Sequence, residues 1–356
     1  MNWPWRSSEP EGLLLRLLWL PLAIPAWFFR LGAAADRGGY LRRGPGRRRV
    51  DARVISVGSL LVGGSGKTPM ASWLAEQMHR RGHKVALLSR GYGGQPDQDV
   101  TIVSDGNALH VGPKQAGDEP VLLARQVAGV PVVVSRDRGL AALRAISCSG
   151  AEVLILDDGF QHHRLYRDLD LLTFDADFGL GNGKILPRGP LREPLAGMQR
   201  ADAIIDIGGP VSATVEAEIQ RFGTGASRFR AHRRPVSFGN LRGDVRVQPS
   251  VLRGMKVGML TGIARPDSLR TTLEALGASV IAERIFPDHH RYVAKNLLGL
   301  ADETEVWVTT EKDAGKIMPY WAGAADIRVL GVRLDLEDGE ALLEWIEGEL
   351  GLGRFC

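Results

Sequence analysis

The chain has 356 residues, 44% of them hydrophobic and 24% charged, with 45 basic against 41 acidic side chains. That composition suits a folded protein of about two ordinary domains and excludes a disordered one. The net charge of +4 is local: residues 1–53 carry ten arginines against four acids, and the remainder is slightly acidic, which argues against a nucleic-acid partner. Cys148 and Cys356 offer neither metal spacing nor a disulfide framework, as suits a reducing compartment.

The first predicted element is apolar, "GLLLRLLWLPLAIPAWFFRLGAAA". Its uncharged core, Leu17 to Phe29, is thirteen residues long, against roughly 20 for a helix that spans a bilayer. Arg16 and Arg30 can snorkel, whereas Pro21 and Pro25 oppose a straight span. Ala33-Ala34-Ala35 resembles a signal-cleavage site, but Glu9 and Glu11 spoil the charged leader and the arginines beyond oppose translocation. A buried helix is another alternative. The preferred reading is a membrane-associating helix, with "RRGPGRRR" against anionic lipid on the cytoplasmic side.

From Val54 onward strands and helices alternate. "RVISVG", "KVALLSRG", "PVVVSRD", "EVLILDDG" and "DLDLLTFDA" read as buried strands. "PMASWLAEQMHRRG", "DEPVLLARQVAG" and "GLAALRAISCSG" read as helices between them. The pattern predicts an α/β fold with a parallel sheet covered by helices on both faces, ligands sitting beyond the carboxyl ends of the strands. Residues 223–240 break the rhythm and read as a connector. A smaller α/β unit follows: "KVGMLTGIA", a helix over 267–276, "SVIAERIF", a helix over 293–301, "EVWVTTEKD", "IRVLGVRL" and a closing helix over 339–350. The expected division is 1–50 as the membrane-associating segment, 51–222 as the main domain and 223–356 as the smaller one.

"SVGSLLVGGSGKTP" (56–69) departs from a P-loop, G-x-x-x-x-G-K-[ST], only in having Leu61 at the first glycine. Gly63, Gly64 and Gly66 allow the tight turn in which backbone N–H groups face phosphate oxygens. Lys67 supplies a cation and Thr68 a hydroxyl for Mg²⁺. The alternative is a plain glycine-rich connector. In "VLILDDGFQHHR", Asp157 and Asp158 end a strand, where a P-loop enzyme places a carboxylate beside Mg²⁺; a simple turn is the alternative, and which aspartate meets the ion stays open. His162 and His163 are adjacent, so they point apart and lack transition-metal spacing. "GDEP" (117–120) puts Asp118 and Glu119 before a helix, where an N-cap would also explain Asp118. "SRDRG" (135–139), "LPRGPLREPL" (186–195) and "FPDHHRY" (286–292) hold further groups suited to phosphate chemistry, each ambiguous by spacing alone.

Taken in order, "VGSLLVGGSGKTP", "LSRGYGG", "GDEP", "LILDDGFQHH", "GKILPRGPLREP", "TGIARP", "FPDHHRY" and "TTEKDAGKI" resemble the tetraacyldisaccharide 4'-kinase family of lipid A biosynthesis, over nearly the whole chain. The resemblance implies a P-loop NTPase fold that uses ATP and Mg²⁺ at the cytoplasmic face of the inner membrane. The implied reaction phosphorylates the 4'-hydroxyl of an acylated glucosamine disaccharide. The family's loop also lacks the first glycine, though it usually has a polar residue where Leu61 stands and Asn where Ser59 stands. It implies that Asp118 acts as base on the acceptor hydroxyl, paired with His289, with Lys67 at the transferring phosphate. Leu61, Val62, Gly63, Gly64, Ser65, Gly66, Lys67 and Thr68 would bind nucleotide; Thr68, Asp157 and Asp158 would serve the metal. Glu119, Arg136, Arg138, Gln161, His162, Arg192 and Glu193 would contact substrate. Two rival classes are a P-loop switch NTPase and a membrane-binding module with a degenerate site. The switch loses its guanine form, because the [NT]-K-x-D register at Lys312 ends on Ala314.

Overall fold

The computed structural model describes residues 47–96 and 98–353, preceded by residues 22, 24–27 and 32. The hydrophobic N-terminal element thus lies almost wholly outside the described residues. Among the described residues, no helix is long and apolar enough to cross a membrane.

One sheet of thirteen strands organises the chain, in the order β11-β10-β12-β13-β8-β7-β6-β1-β5-β2-β4-β3, with β9 (Arg246–Val247) paired to β8. Its first half holds β1 (Arg53–Gly58), β2 (Val85–Ser89), β3 (Val100–Ser104), β4 (Val132–Ser135), β5 (Val153–Asp157), β6 (Leu169–Asp175) and β7 (Ala203–Ile207). All are parallel to their neighbours except β3, which runs antiparallel on the edge. These strands are apolar on both faces because both faces are covered. Ile55 and Val57 pack with Met70, Leu74 and Met78 of α1 (Lys67–Arg80) and with Val121 and Leu123 of α2 (Asp118–Gln126). Val54, one residue from Ile55, faces the other side with Ala141, Ala142 and Ala145 of α3 (Arg138–Ser149). The small alanines let that helix lie close against the strands. Leu172, Phe174 and Ile204 meet Val215 and Ile219 of α4 (Ala213–Phe222).

The second half contains β10 (Lys256–Thr261), β11 (Ser279–Ile285), β12 (Val306–Thr310) and β13 (Asp326–Leu336), parallel throughout, with α5 (Pro266–Ala275), the single turn α6 (Glu311–Ala314) and the closing α7 (Gly339–Leu350). The segment expected as a connector is instead β8 (Ser227–Asn240), the longest strand. Residues Ser227–Ala231 pair parallel with β7, and Ala231–Asn240 pair antiparallel with β13. β8 therefore runs on past the carboxyl ends of the first half, while β13 and its parallel neighbours run back toward them. The carboxyl ends of both halves face one another, and the cleft lies there.

The helix expected over 293–301 also differs. A short 3-10 turn, Ala294–Leu297, and one helical turn, Leu300–Glu303, stand in its place. Asn296 Oδ1 accepts from the Val293 N–H at 2.9 Å, and Gly299 takes a left-handed φ of 78°, so the helical run is interrupted.

Candidate active site

The cleft has a volume of about 880 Å³ and is walled by the loop after β1, the ends of β2 and β5, α2, the loop after β10, the loop after β11 and α6. The glycine loop forms its floor. Gly63 and Gly66 both have positive φ, 85° and 79°. Gly66 caps α1 in that conformation, and a Cβ there would collide with the Ile207 side chain. Leu61, where a P-loop has glycine, is fully buried and bridges Leu191, so it serves as an anchor for the loop. Lys67 Nζ curls over the loop, 3.4 Å from the Gly63 carbonyl and 3.2 Å from Ser65 Oγ. Thr68 Oγ1 is 3.2 Å from Asp157 Oδ1.

Asp157 is fully buried at the end of β5, and burial, with Glu119 and Asp158 nearby, pushes its carboxyl well above the usual range. Burial acts on Asp158 likewise, but Lys67 and Arg192 outweigh it and its pKa falls. Arg192 Nη1 holds both Asp158 oxygens at 2.7 Å, and Lys67 stands 3.9 Å away. Behind the pair, Arg138 is buried, with Nη1 on the Ser135 carbonyl at 3.0 Å and Nε without a partner. Burial lowers its pKa to about 10 against the pull of Asp158 and Asp157.

Across the cleft, Asp118 is not an N-cap. Gly117 holds that position and no side chain caps the helix. The Asp118 carboxylate instead faces His289 Nδ1 at 2.9 and 3.1 Å and Lys316 Nζ at 3.4 Å. Burial would raise its pKa; the His289 bond, Lys312 and Lys316 bring it far below the carboxylate range. The same bond raises the pKa of His289, with burial and Lys312 opposing. His289 has φ 60° and Asp158 φ 58°, the two non-glycine residues in the left-handed region among those described. Both lie in the cleft, where strain of this kind is retained when neighbours enforce it.

The other expected residues are divided. Glu119 lines the cleft and meets Lys312 at 3.3 Å. Gln161 donates to the Ser59 carbonyl at 3.0 Å and to Glu193 at 2.9 Å, and Arg200 pairs with Glu193, so Glu193 is buried in a bracket behind the loop. His162 is half-buried with Nε2 unpartnered, and it does not line the cleft. Arg136 is exposed after β4 and stands outside the lining. Lys312, Arg233, Arg265 and Tyr92, to which the sequence assigned no site role, line the cleft, and so does Asp288 of the "FPDHHRY" stretch. Arg233 and Arg265 both pair with the fully buried Asp175, and the Arg265 stem packs against Gly64. The signal for these two was weak, because single arginines in a strand and a loop have no spacing to betray them.

A magnesium ion fits what is present. Mg²⁺ takes hard oxygen donors, usually one or two carboxylates plus phosphate oxygens and water. Thr68 and the crowded Asp157 and Asp158 carboxylates offer such oxygens. Among the described residues, no cluster of three or more His, Cys, Asp or Glu side chains would hold a metal by itself.

A mostly parallel sheet with a glycine loop at a helix mouth, a lysine and carboxylates on one side and an Asp–His pair on the other defines a nucleotide-using phosphotransferase. Comparison with known proteins narrows this. The family model described as Tetraacyldisaccharide-1-P 4'-kinase matches residues 17–351. The tetraacyldisaccharide 4'-kinase of Syntrophus aciditrophicus is 41% identical, covering 89% of this chain and 87% of that protein. The enzyme of the same name from Anaeromyxobacter sp. (strain Fw109-5) is 41% identical over 94% and 91%. The crystal structure of LpxK from Aquifex aeolicus in complex with ATP superposes with a TM-score of 0.73 at 32% identity, covering 94% of this chain and 99% of that one. The chain belongs to the tetraacyldisaccharide-1-P 4'-kinase family.

Proposed function

We propose that this protein transfers the γ-phosphoryl group of ATP to the 4'-hydroxyl of an acylated glucosamine disaccharide 1-phosphate, the bis-phosphorylated product being a lipid A precursor. The observation that carries the site assignment is the Asp118–His289 bond: His289 lines the cleft together with the glycine loop, and the buried Asp118, outside the lining, bonds to it.

In this reading residues 61–68 form a P-loop. Its backbone N–H groups and Lys67 cradle the phosphates, and Lys67 draws charge from the group in transfer. Mg²⁺, held through Thr68 with Asp157 or Asp158, supplies charge neutralisation at the phosphates. Arg192 fixes Asp158. The acceptor hydroxyl approaches from the Asp118 side. A carboxylate held so low is a weak acceptor alone, and the neighbouring imidazole is the stronger one, so the pair takes the proton as a unit. Opposed carboxyl ends place nucleotide and acceptor groups on facing walls, and closure excludes water as a rival acceptor. Glu119, Arg138, Gln161 and Glu193 would shape the substrate side from around the cleft; Arg136 and His162 would need the lipid to extend beyond it.

We assign residues 1–50 to the membrane surface of the cytoplasmic leaflet, where anionic lipid meets the arginines, because the substrate is itself embedded there. Residues 51–222 and 223–356 act as two domains that share the sheet. The test is ³²P transfer from ATP to the acylated disaccharide 1-phosphate in mixed micelles. Product bearing a new 4'-phosphate is expected; ATP turnover indifferent to the lipid would sink the kinase in favour of a switch ATPase.

A further inference from the structure

Lys312, the second residue of α6, has its side chain 16% exposed, and the steps described above give it no part. Its ammonium lies 3.3 Å from Glu119, 3.3 Å from Asp288 and 3.9 Å from Asp118. It also lies 3.5 Å from Nε2 of His289, and so stands beside both the ring and its carboxylate partner. The base of α6 is fixed by Asp313, which accepts from Thr261, Gly262 and Thr310. Glu311 ties the same turn to the first half through Gln126 at 2.8 Å and to Arg333 at 2.6 Å. Lys312 is therefore held in place from both halves.

The proton balance of the transfer gives such a cation a task. The acceptor O–H breaks, its oxygen bonds to the γ-phosphorus, the bond from that phosphorus to the bridging oxygen of ADP breaks, and the proton goes to the Asp118–His289 pair. A pair already carrying its proton as imidazolium can take no second one of use. Two carboxylates next to the ring, Asp118 from α2 and Asp288 from its own loop, draw a proton onto it. Lys312 opposes this from Nε2, and Lys316 acts on the Asp118 carboxylate. Tyr92, whose ring lies 5.3 Å from that of His289, packs against it, and Arg291 is engaged with the Gly93 carbonyl. With an apolar residue at 312, Glu119 and Asp288 would lose this cation and Asp118 would keep Lys316.

We propose that Lys312 is a positioning residue of the Asp118–His289 pair, whose ammonium beside Nε2 opposes protonation of the imidazole and so leaves the pair room for the acceptor's proton. This rests on the reading of Asp118 and His289 as the acid–base pair. The test uses the full-length enzyme with Lys312→Met and Lys312→Arg. For Lys312→Met, kcat at pH 7 is expected to fall about tenfold or more while KM for ATP moves by less than about threefold. The acid limb of its pH–rate profile is expected to shift upward by about one pH unit, with part of the loss recovered at high pH, because the imidazole now protonates more readily. Lys312→Arg is expected to return the limb toward wild type. Histidine ¹⁵N spectra supply an independent reading: the His289 imidazolium is expected to persist to higher pH in Lys312→Met than in the wild type. A rise of about tenfold or more in KM for ATP with the acid limb unmoved would make Lys312 a phosphate contact and overturn the proposal. A lowered melting temperature alone, with kcat and limb unchanged, would reduce it to a structural tie. If neither variant folds, a wild-type His289 that is imidazolium throughout the active range overturns it. Full activity in His289→Ala would instead remove the pair itself, whatever Lys312 does.

Discussion

Asp118 is the residue on which two explanations of one carboxylate part company. A helix-capping aspartate tolerates serine or asparagine, at a cost of a few tenths to about 1 kcal/mol. Here Gly117 is the cap and the carboxylate is spent on His289 and Lys316. Asp118→Ser is therefore expected to lower kcat by about 10²-fold or more with KM for ATP nearly constant. Adding His289→Ala to Asp118→Ala should cost nothing further, since the two act as a unit. Steady-state kinetics on the four proteins decides this: strictly multiplicative losses, or an active serine variant, would leave positioning and Mg²⁺ to do the work. His162 makes a different prediction. Burial, with Arg138 and Arg167 nearby, lowers its pKa to about 4, below the unfolded value near 6.5. Between those two values the unfolded chain binds more protons, so this residue's contribution makes stability fall as pH drops from about 6.5 toward 4. His162→Gln should flatten that part of a melting-temperature titration, and an unchanged slope would show that another group is responsible. The sequence made both residues visible but could not rank them. Asp118 and His289 are 171 positions apart, and the distance between them exists only after β8 has reversed the second half.

At the scale of elements, the helix mouth carries the clearest sequence signal and the most local risk. Gly66 has φ 79° and sits against Ile207, so Gly66→Ala meets both backbone strain and a steric clash. A loss of about 1–3 kcal/mol is expected from chemical denaturation, together with weakened ATP binding. Lys67→Ala should leave the unfolding curve alone and remove on the order of 10³-fold in rate, because its cation is exerted on the transferring phosphate and not on the fold. A Lys67→Ala enzyme within a few-fold of wild type would show that this loop is not catalytic. Continuous apolar runs made the buried strands legible, and the closing helix falls at 339–350 as its pattern predicts. β8 was missed for a physical reason. Its "SRFRAHRR" alternates as a half-exposed strand should, but the density of arginines hides the period. The structure shows why those arginines are tolerated: Arg228 pairs with Asp206 and Glu216, His232 with Glu337 and Arg234 with Asp335. Asp206 and Asp335 sit on the neighbouring strands β7 and β13, Glu216 on α4 and Glu337 just past β13, and no single stretch of sequence reveals such neighbours.

Among the described residues the molecule is one sheet with its halves set carboxyl end to carboxyl end, and the membrane role proposed for residues 1–50 would be separable from catalysis. Among the described residues, the groups that bind, orient or take the proton run from Ser59 to Lys316, all within the described body. The apolar run and the first arginines precede that body. The sequence could suggest this division, because charge and hydropathy are concentrated before Val54, but it could not say how the halves face each other, since strand direction is set by β8 and β13 together. The consequence is a separable phenotype. Deleting residues 1–35 is expected to leave ATP affinity within about twofold of the full chain, because the residues assigned to the nucleotide begin at Leu61. The same deletion should raise KM for the acylated disaccharide in micelles and reduce cosedimentation with vesicles rich in anionic lipid. Replacing Arg42, Arg43, Arg47, Arg48 and Arg49 by Gln should weaken vesicle binding further. The arginine effect should be largest at low salt, since the surface potential decays within about 10 Å at 0.1 M ionic strength. The apolar effect should persist at high salt, because burial of hydrocarbon is not screened. Arg48 carries a second duty, pairing backbone with Arg164 and approaching Asp137, so its replacement is checked by thermal unfolding before vesicle data are read. A truncated protein that sediments with anionic vesicles as fully as the intact one, at either salt, would move the membrane contact from the N-terminal segment to the folded body.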